Sequence, residues 1–184
     1  MKIGVFVGSF DPVQNAHISI MKYLTTNNIV DHLLVIATGN YQGKQNITEL
    51  DKRLAMLDLI KMDNVEINKK YNNYKYTYQI LRELNKEYPN DKLYLVIGAD
   101  NADYIDKWNN YEEIIKNGII VIKRDNIKVK LNAPNVIYIN NDFSNISSTK
   151  IRNNLNKYKS YLDKNVYNYI KDNNLYQKGS NNND

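Results

Sequence analysis

Apolar residues in this chain gather in short unbroken runs separated by longer amphipathic stretches. The runs are "KIGVFV" from Lys2, "HLLVIAT" from His32, "KLYLVIG" from Lys92 and "GIIVIKR" from Gly118. A strand with one wet face alternates apolar and polar residues, so runs without alternation predict strands buried on both faces. "VEIN" from Val65 and "NVIYIN" from Asn135 read as two shorter strands. Between them lie helical patterns. Ala16 to Asn27 carries Ile18, Met21 and Leu24 on one side. Thr48 to Met62 predicts a helix capped by Thr48, opened by acids and striped by Leu50, Leu54, Leu57 and Ile60. "YTYQILRELNKEY" is a helix that stops before Pro89. "ADNADYIDKW" and "YEEIIKN" read as helical pieces, and "SSTKIRNNLNKY" and "KNVYNYIKDNN" as a small closing helical element. Alternating strands and helices specify an α/β fold, a doubly wound parallel sheet with helices on both faces. Ligands in such sheets sit at the carboxyl ends of the strands, where strand order reverses. Residues 1–176 are expected to form one domain, and the polar tail 177–184 is expected to be disordered.

Composition narrows the function classes. Cysteine is absent, which excludes disulfides and thiolate chemistry. The first apolar run is too short for a secretory signal, and no run approaches a membrane span. A cytoplasmic protein with no membrane partner is therefore expected. The net charge is +5, but basic residues are scattered and no run of five like charges occurs. That argues against a nucleic-acid partner and for a localised phosphate site.

Two stretches can supply such a site. "GSFDPVQNAH" leaves the first strand through Gly8, Ser9, Phe10, Asp11 and Pro12 and places His17 in the first turn of the next helix. Gly8 permits close backbone approach, and a helix N-terminus attracts anions through unpaired N–H groups. The plainer alternative is a strand-to-helix turn whose histidine caps or packs. "ISSTKIR" opens a later helix with Ile146, Ser147 and Ser148 and carries Arg152 one turn on. By itself it is an N-cap with a solvated arginine; beside the first stretch it is a second phosphate cradle.

The first stretch resembles the nucleotidyltransferase signature G-[ST]-F-D-P-x-[HT]-x-G-H, and the second the signature I-S-S-T-x-[IV]-R. Together with "YTYQILREL", "LYLVIGADNADYIDKWNNYEEII" and "VYNYIKDNNLY", the chain from Lys2 to about Tyr176 resembles nicotinate-nucleotide adenylyltransferases. The resemblance implies a Rossmann-like fold and adenylyl transfer from ATP to nicotinate mononucleotide, with Mg²⁺ carried by ATP and no protein-held metal. Three departures stand out. Gln14 replaces the first histidine or threonine, Ala16 replaces a glycine, and "QGKQN" occupies a loop that often carries a histidine-lysine pair, where Lys44 aligns with the lysine.

Roles follow from the resemblance. His17, Lys44 and Arg152 would stabilise charge on the phosphates. Gly8, Ser9, Phe10, Gln14, Gly98, Asp100, Arg124, Ile146, Ser147 and Ser148 would hold ATP, with Asp100 on the ribose hydroxyls. Trp108, the only tryptophan, would stack on the pyridine ring, and Tyr76 and Thr77 would meet its carboxylate largely through main-chain atoms. Rival readings are a nicotinamide-mononucleotide or dual-specificity enzyme, a phosphopantetheine adenylyltransferase, and a nucleotide-binding protein without activity. The sequence leaves a homo-oligomer open.

Overall fold

The computed structural model describes residues 1–39, 46–124, 127–143 and 146–177. Its strands are β1 (Lys2–Gly8), β2 (His32–Ala37), β3 (Val65–Ile67), β4 (Lys92–Gly98), β5 (Gly118–Ile122) and β6 (Val136–Ile139). They form one parallel sheet in the order β3-β2-β1-β4-β5-β6. The chain winds outward from β1 to β3, then returns to β4 on the other side of β1. The order therefore reverses between β1 and β4, whose carboxyl ends are Gly8 and Gly98.

The unbroken apolar runs exist because each of β1, β2, β4 and β5 feeds two cores. Phe6, Leu33, Val35, Val96 and Ile120 face one layer; Val5, Leu34, Ile36, Leu95 and Ile119 face the other. The first layer is closed by α1 (Asn15–Thr26), α2 (Leu50–Asp58), α6 (Ser148–Asn153) and α8 (Lys164–Asp172), through Met21, Leu24, Leu57, Ile151, Val166 and Ile170. The second is closed by α3 (Thr77–Glu87), α4 (Ala99–Ala102) and α5 (Tyr111–Ile114), through Ile80, Leu84, Ala102 and Ile114. Each fully buried Val, Leu, Ile or Met side chain among these contributes about 1.5–3 kcal/mol relative to exposure. A short helix, α7 (Leu155–Tyr158), follows α6. No described helix is long and apolar enough to cross a membrane.

Three segments depart from the sequence pattern. The helix expected from Thr48 to Met62 spans only Leu50–Asp58, with no side-chain cap at its N-terminus. Thr48 instead gives its N–H to the Asp11 carboxylate at 3.0 Å. The inward face of α2 is Arg53, Met56 and Leu57; Leu50 and Leu54 only pack at its margin, and Ile60 lies beyond the helix. Asn154 splits the first closing helix: it ends α6 and caps α7 by accepting the Lys157 N–H. After Ala102 the chain passes into a 3-10 turn, Ile105–Lys107, before α5.

Candidate active site

A cavity of about 620 Å³ opens where the strand order reverses. Its floor is the end of β1 with Gly8, Ser9 and Phe10, and one wall is the end of β4 with Gly98 and Asp100. α1 contributes Gln14 and His17, β5 leads into Arg124, and the start of α6 supplies Ile146, Ser147, Ser148 and Arg152. The two signature stretches thus meet across one cavity. Lys44 lies outside the described residues.

The first loop is held by buried contacts. Phe10 has φ 47°, a left-handed backbone uncommon for a phenylalanine, and its ring is edge-on to Phe6 and His17 at 5.3 and 5.0 Å between centroids. A Cβ on Gly8 would sit 3.2 Å from that ring. Asp11 is 2% exposed. Its carboxylate accepts from Thr48 N–H and from the Tyr176 hydroxyl, and its carbonyl accepts from Arg152 Nη1 at 2.7 Å.

Gln14 and His17 cap α1 reciprocally. The Gln14 side-chain oxygen accepts from Ala16 N–H, and the Gln14 N–H donates to His17 Nδ1 at 3.2 Å. His17 therefore caps α1 through one ring nitrogen, and among the described residues nothing pairs with the other. With Nδ1 accepting, the proton of the neutral ring resides on Nε2. Burial, and then the nearby Arg124 cation, pull the His17 pKa down to about 4. At neutral pH the ring is an uncharged N–H donor on the cavity wall.

Gln14 lines the cavity and also carries a structural tie. Its side-chain amide donates to the carbonyl of Ile146, which ties the first signature to the second. Both polar ends of the side chain thus contact main chain, and one Nε2 hydrogen is left for a phosphate. Ser148 adds another tie, its hydroxyl donating to the Pro12 carbonyl at 2.9 Å. Ser147 is the N-cap of α6 and accepts from the Lys150 N–H. The Ser148 hydroxyl is therefore spent on the loop, while the O–H of Ser147 and the N–H groups of the α6 mouth remain for an anion.

At the other wall, Arg124 Nη1 stands 3.8 Å from Asp100 Oδ2. Asp100 Oδ1 is shielded from solvent and has no hydrogen-bond partner among the described residues. A buried acceptor without a donor is costly unless something else satisfies it, and a ligand hydroxyl has the right chemistry. Gly98 is required for this arrangement, since its Cβ would lie 2.6 Å from Asp100 Oδ1.

Tyr76, Thr77 and Trp108 do not line this cavity. Trp108 is half-buried and packs against the second core layer. The Tyr76 ring stacks on Tyr78 at 5.9 Å. Its main-chain groups are taken up in capping α3: the N–H donates to Gln79 Oε1 at 3.0 Å and the carbonyl accepts from Gln79 N–H. In this structure the Tyr76 N–H is thereby engaged, while Thr77, the first residue of α3, carries an N–H that the helix does not use.

Arg53 was not legible as a site residue. Its side chain is fully buried and donates to the carbonyls of Thr48, Ser9 and Thr38 at 2.7, 2.8 and 2.7 Å. Burial lowers its pKa while Asp11 opposes the change. The one available signal is that position 53 falls one turn before Leu57, on the inward side of α2.

Residues 5–154 match the family model described as cytidylyltransferase-like. A probable nicotinate-nucleotide adenylyltransferase of Acholeplasma laidlawii is 35% identical over 95% of this chain and 97% of its own length. One of Flavobacterium johnsoniae is 31% identical over 97% of this chain and 100% of its own. Among solved structures, the fold matches Plasmodium falciparum nicotinic acid mononucleotide adenylyltransferase complexed with NaAD, with a TM-score of 0.80 at 24% identity over 95% of this chain and 97% of that one.

Proposed function

The chain belongs to the nicotinate-nucleotide adenylyltransferase family, and we infer from that premise how its own residues carry the reaction. The enzyme transfers the adenylyl group of ATP to nicotinate mononucleotide, giving nicotinate adenine dinucleotide and pyrophosphate in NAD biosynthesis. A phosphate oxygen of the mononucleotide forms a bond to the α-phosphorus of ATP. The bond from that phosphorus to the bridging oxygen breaks, and its electron pair leaves with pyrophosphate. The attacking phosphate is already a nucleophile, so the site needs no serine, cysteine or general base. Positioning and charge stabilisation supply the rate.

His17 donates from Nε2 to a non-bridging oxygen of the α-phosphate as charge builds there. Because the ring is neutral and fixed by the Gln14 N–H, the donor is oriented before substrate arrives. Arg152, anchored on the Asp11 carbonyl, binds the outgoing polyphosphate, and Lys44 is assigned the same role from the resemblance alone. The N–H groups of the Gly8–Phe10 loop and of the α6 mouth hold phosphate oxygens. Asp100 Oδ1 accepts from a ribose hydroxyl, and Arg124 lies on the adenosine side. Mg²⁺ enters with ATP as part of the substrate, held by phosphate oxygens and water. Trp108 stacks on the pyridine ring and the Thr77 N–H meets its carboxylate. We place the enzyme in the cytoplasm, a reading to which the lack of a membrane-spanning helix among the described residues offers no objection.

What supports this reading most is the single cavity onto which both signature stretches converge at the β1/β4 switch point. The test is pyrophosphate release from MgATP with nicotinate mononucleotide, nicotinamide mononucleotide or phosphopantetheine as acceptor. The expected order places nicotinate mononucleotide first. Release with none of the three, from folded protein that binds ATP, would refute the reading.

A further inference from the structure

Tyr176 belongs to neither signature and does not line the cavity, yet it bonds Asp11, which does. After α8 the backbone turns through two left-handed residues, Asn174 at φ 51° and Tyr176 at φ 58°. Such a backbone is unfavourable for a tyrosine and needs compensation. Part comes from Leu175, which is buried in the first core layer between them. The rest comes from the tyrosine hydroxyl, which donates to Asp11 Oδ1. A phenylalanine would fill the same space without burying an oxygen, so packing alone gives no reason for a tyrosine here.

Asp11 is where that hydroxyl takes effect. The other carboxylate oxygen accepts from Thr48 N–H at 3.0 Å, and Arg152 Nε stands 4.0 Å from it. The Asp11 carbonyl is the 2.7 Å anchor of Arg152 Nη1. Arg53 approaches the same group electrostatically and is pinned to Ser9, two residues earlier. One buried carboxylate thus joins the first signature, the start of α2, the arginine of the second signature and the end of the chain. We propose that Tyr176 is a positioning residue of the ATP site, acting through Asp11 to hold the Gly8–Pro12 loop and Arg152 where the polyphosphate binds. Burial, and then the Asp11 charge, raise the Tyr176 pKa well above the ordinary tyrosine range, so the hydroxyl keeps its proton.

The inference rests on the adenylyltransferase reading, so wild-type turnover is measured beside every variant; wild-type protein without turnover overturns both. Tyr176→Phe removes one hydroxyl and leaves the ring. Its kcat/KM for ATP should fall about tenfold, the loss expected for one hydrogen bond to a charged group. The KM for nicotinate mononucleotide should stay within twofold, because Trp108 and Thr77 lie against the other core layer. In an Asp11→Asn background, the same Tyr176→Phe change should cost less than twofold, because its route is already broken. Rates are normalised to the folded fraction from thermal melts. Three results would overturn the proposal: ATP kinetics within twofold of wild type, an equal loss in both backgrounds, or a loss that disappears on normalisation. A phenylalanine protein that does not fold assigns Tyr176 to stability and overturns it equally.

Discussion

The Gln14 side-chain amide donates to the main-chain carbonyl of Ile146, 132 residues further along the chain. Two loops that form the cavity are thereby bonded to each other before any ligand is present. Gln14→Ala removes this tie and half of the α1 cap. The expected loss is about 1–2 kcal/mol of stability, from one hydrogen bond and one cap. Urea unfolding measures the stability, and steady-state assays at saturating ATP should show a fall in kcat from the loosened α6 mouth. Wild-type stability and rate together would mean that the contact carries neither.

His17 makes a prediction in pH. Its folded pKa is about 4, against 6.5 for the free side chain. Between these values the unfolded chain binds more protons than the folded one, so stability falls as pH drops from about 6.5 to 4. The contribution is complete above pH 6.5 and amounts to about 3 kcal/mol. His17→Gln should flatten this part of the stability curve, measured by urea unfolding at closely spaced pH values. An unchanged acid slope would show that His17 titrates alike in both states. The same variant should lose about a hundredfold in kcat with little change in the ATP KM, as for a donor aimed at transition-state charge.

Gly98→Ala tests the Asp100 wall. The new Cβ would stand 2.6 Å from Asp100 Oδ1, and the carboxylate must swing away. Since Asp100 is proposed to hold the ribose, the ATP KM should rise by tenfold or more while the melting temperature moves by only a few degrees. Asp100→Asn keeps the shape and one acceptor oxygen, so it should be milder. If Gly98→Ala binds ATP normally, the ribose contact lies elsewhere.

Trp108 reports on the acceptor. As the only tryptophan, it gives the chain a single indole signal. Nicotinate mononucleotide or the dinucleotide should quench its fluorescence, and ATP alone should do so much less. Trp108→Ala should raise the acceptor KM by about tenfold through lost stacking and burial. An early-melting Trp108→Ala protein with an unchanged acceptor KM would make the residue plain core, which its packing against the second layer also allows.

The six strands and the parallel doubly wound sheet were written in the sequence. Runs such as "HLLVIAT" have no polar alternation, and only a strand covered on both faces can bury them; β2 does so, with Leu33 and Leu34 in opposite layers. The cavity's place followed from topology, and its two signature stretches from their residue types and order. What the sequence could not decide was how polar side chains are spent. Gln14 and His17 carry hydrogen-bonding groups that suit a phosphate, yet partners 3 and 132 residues away take some of them first. Nothing in the residue types of α2 marks Arg53, and it is the buried anchor of three loop carbonyls. Tyr176 looked like one tyrosine among sixteen until the fold brought it to Asp11. Apolar periodicity is a local signal because burial depends on which face of a strand or helix is covered. Polar pairing is not local: each donor goes to whichever buried acceptor the packed chain brings within reach, and that is settled only when distant segments meet.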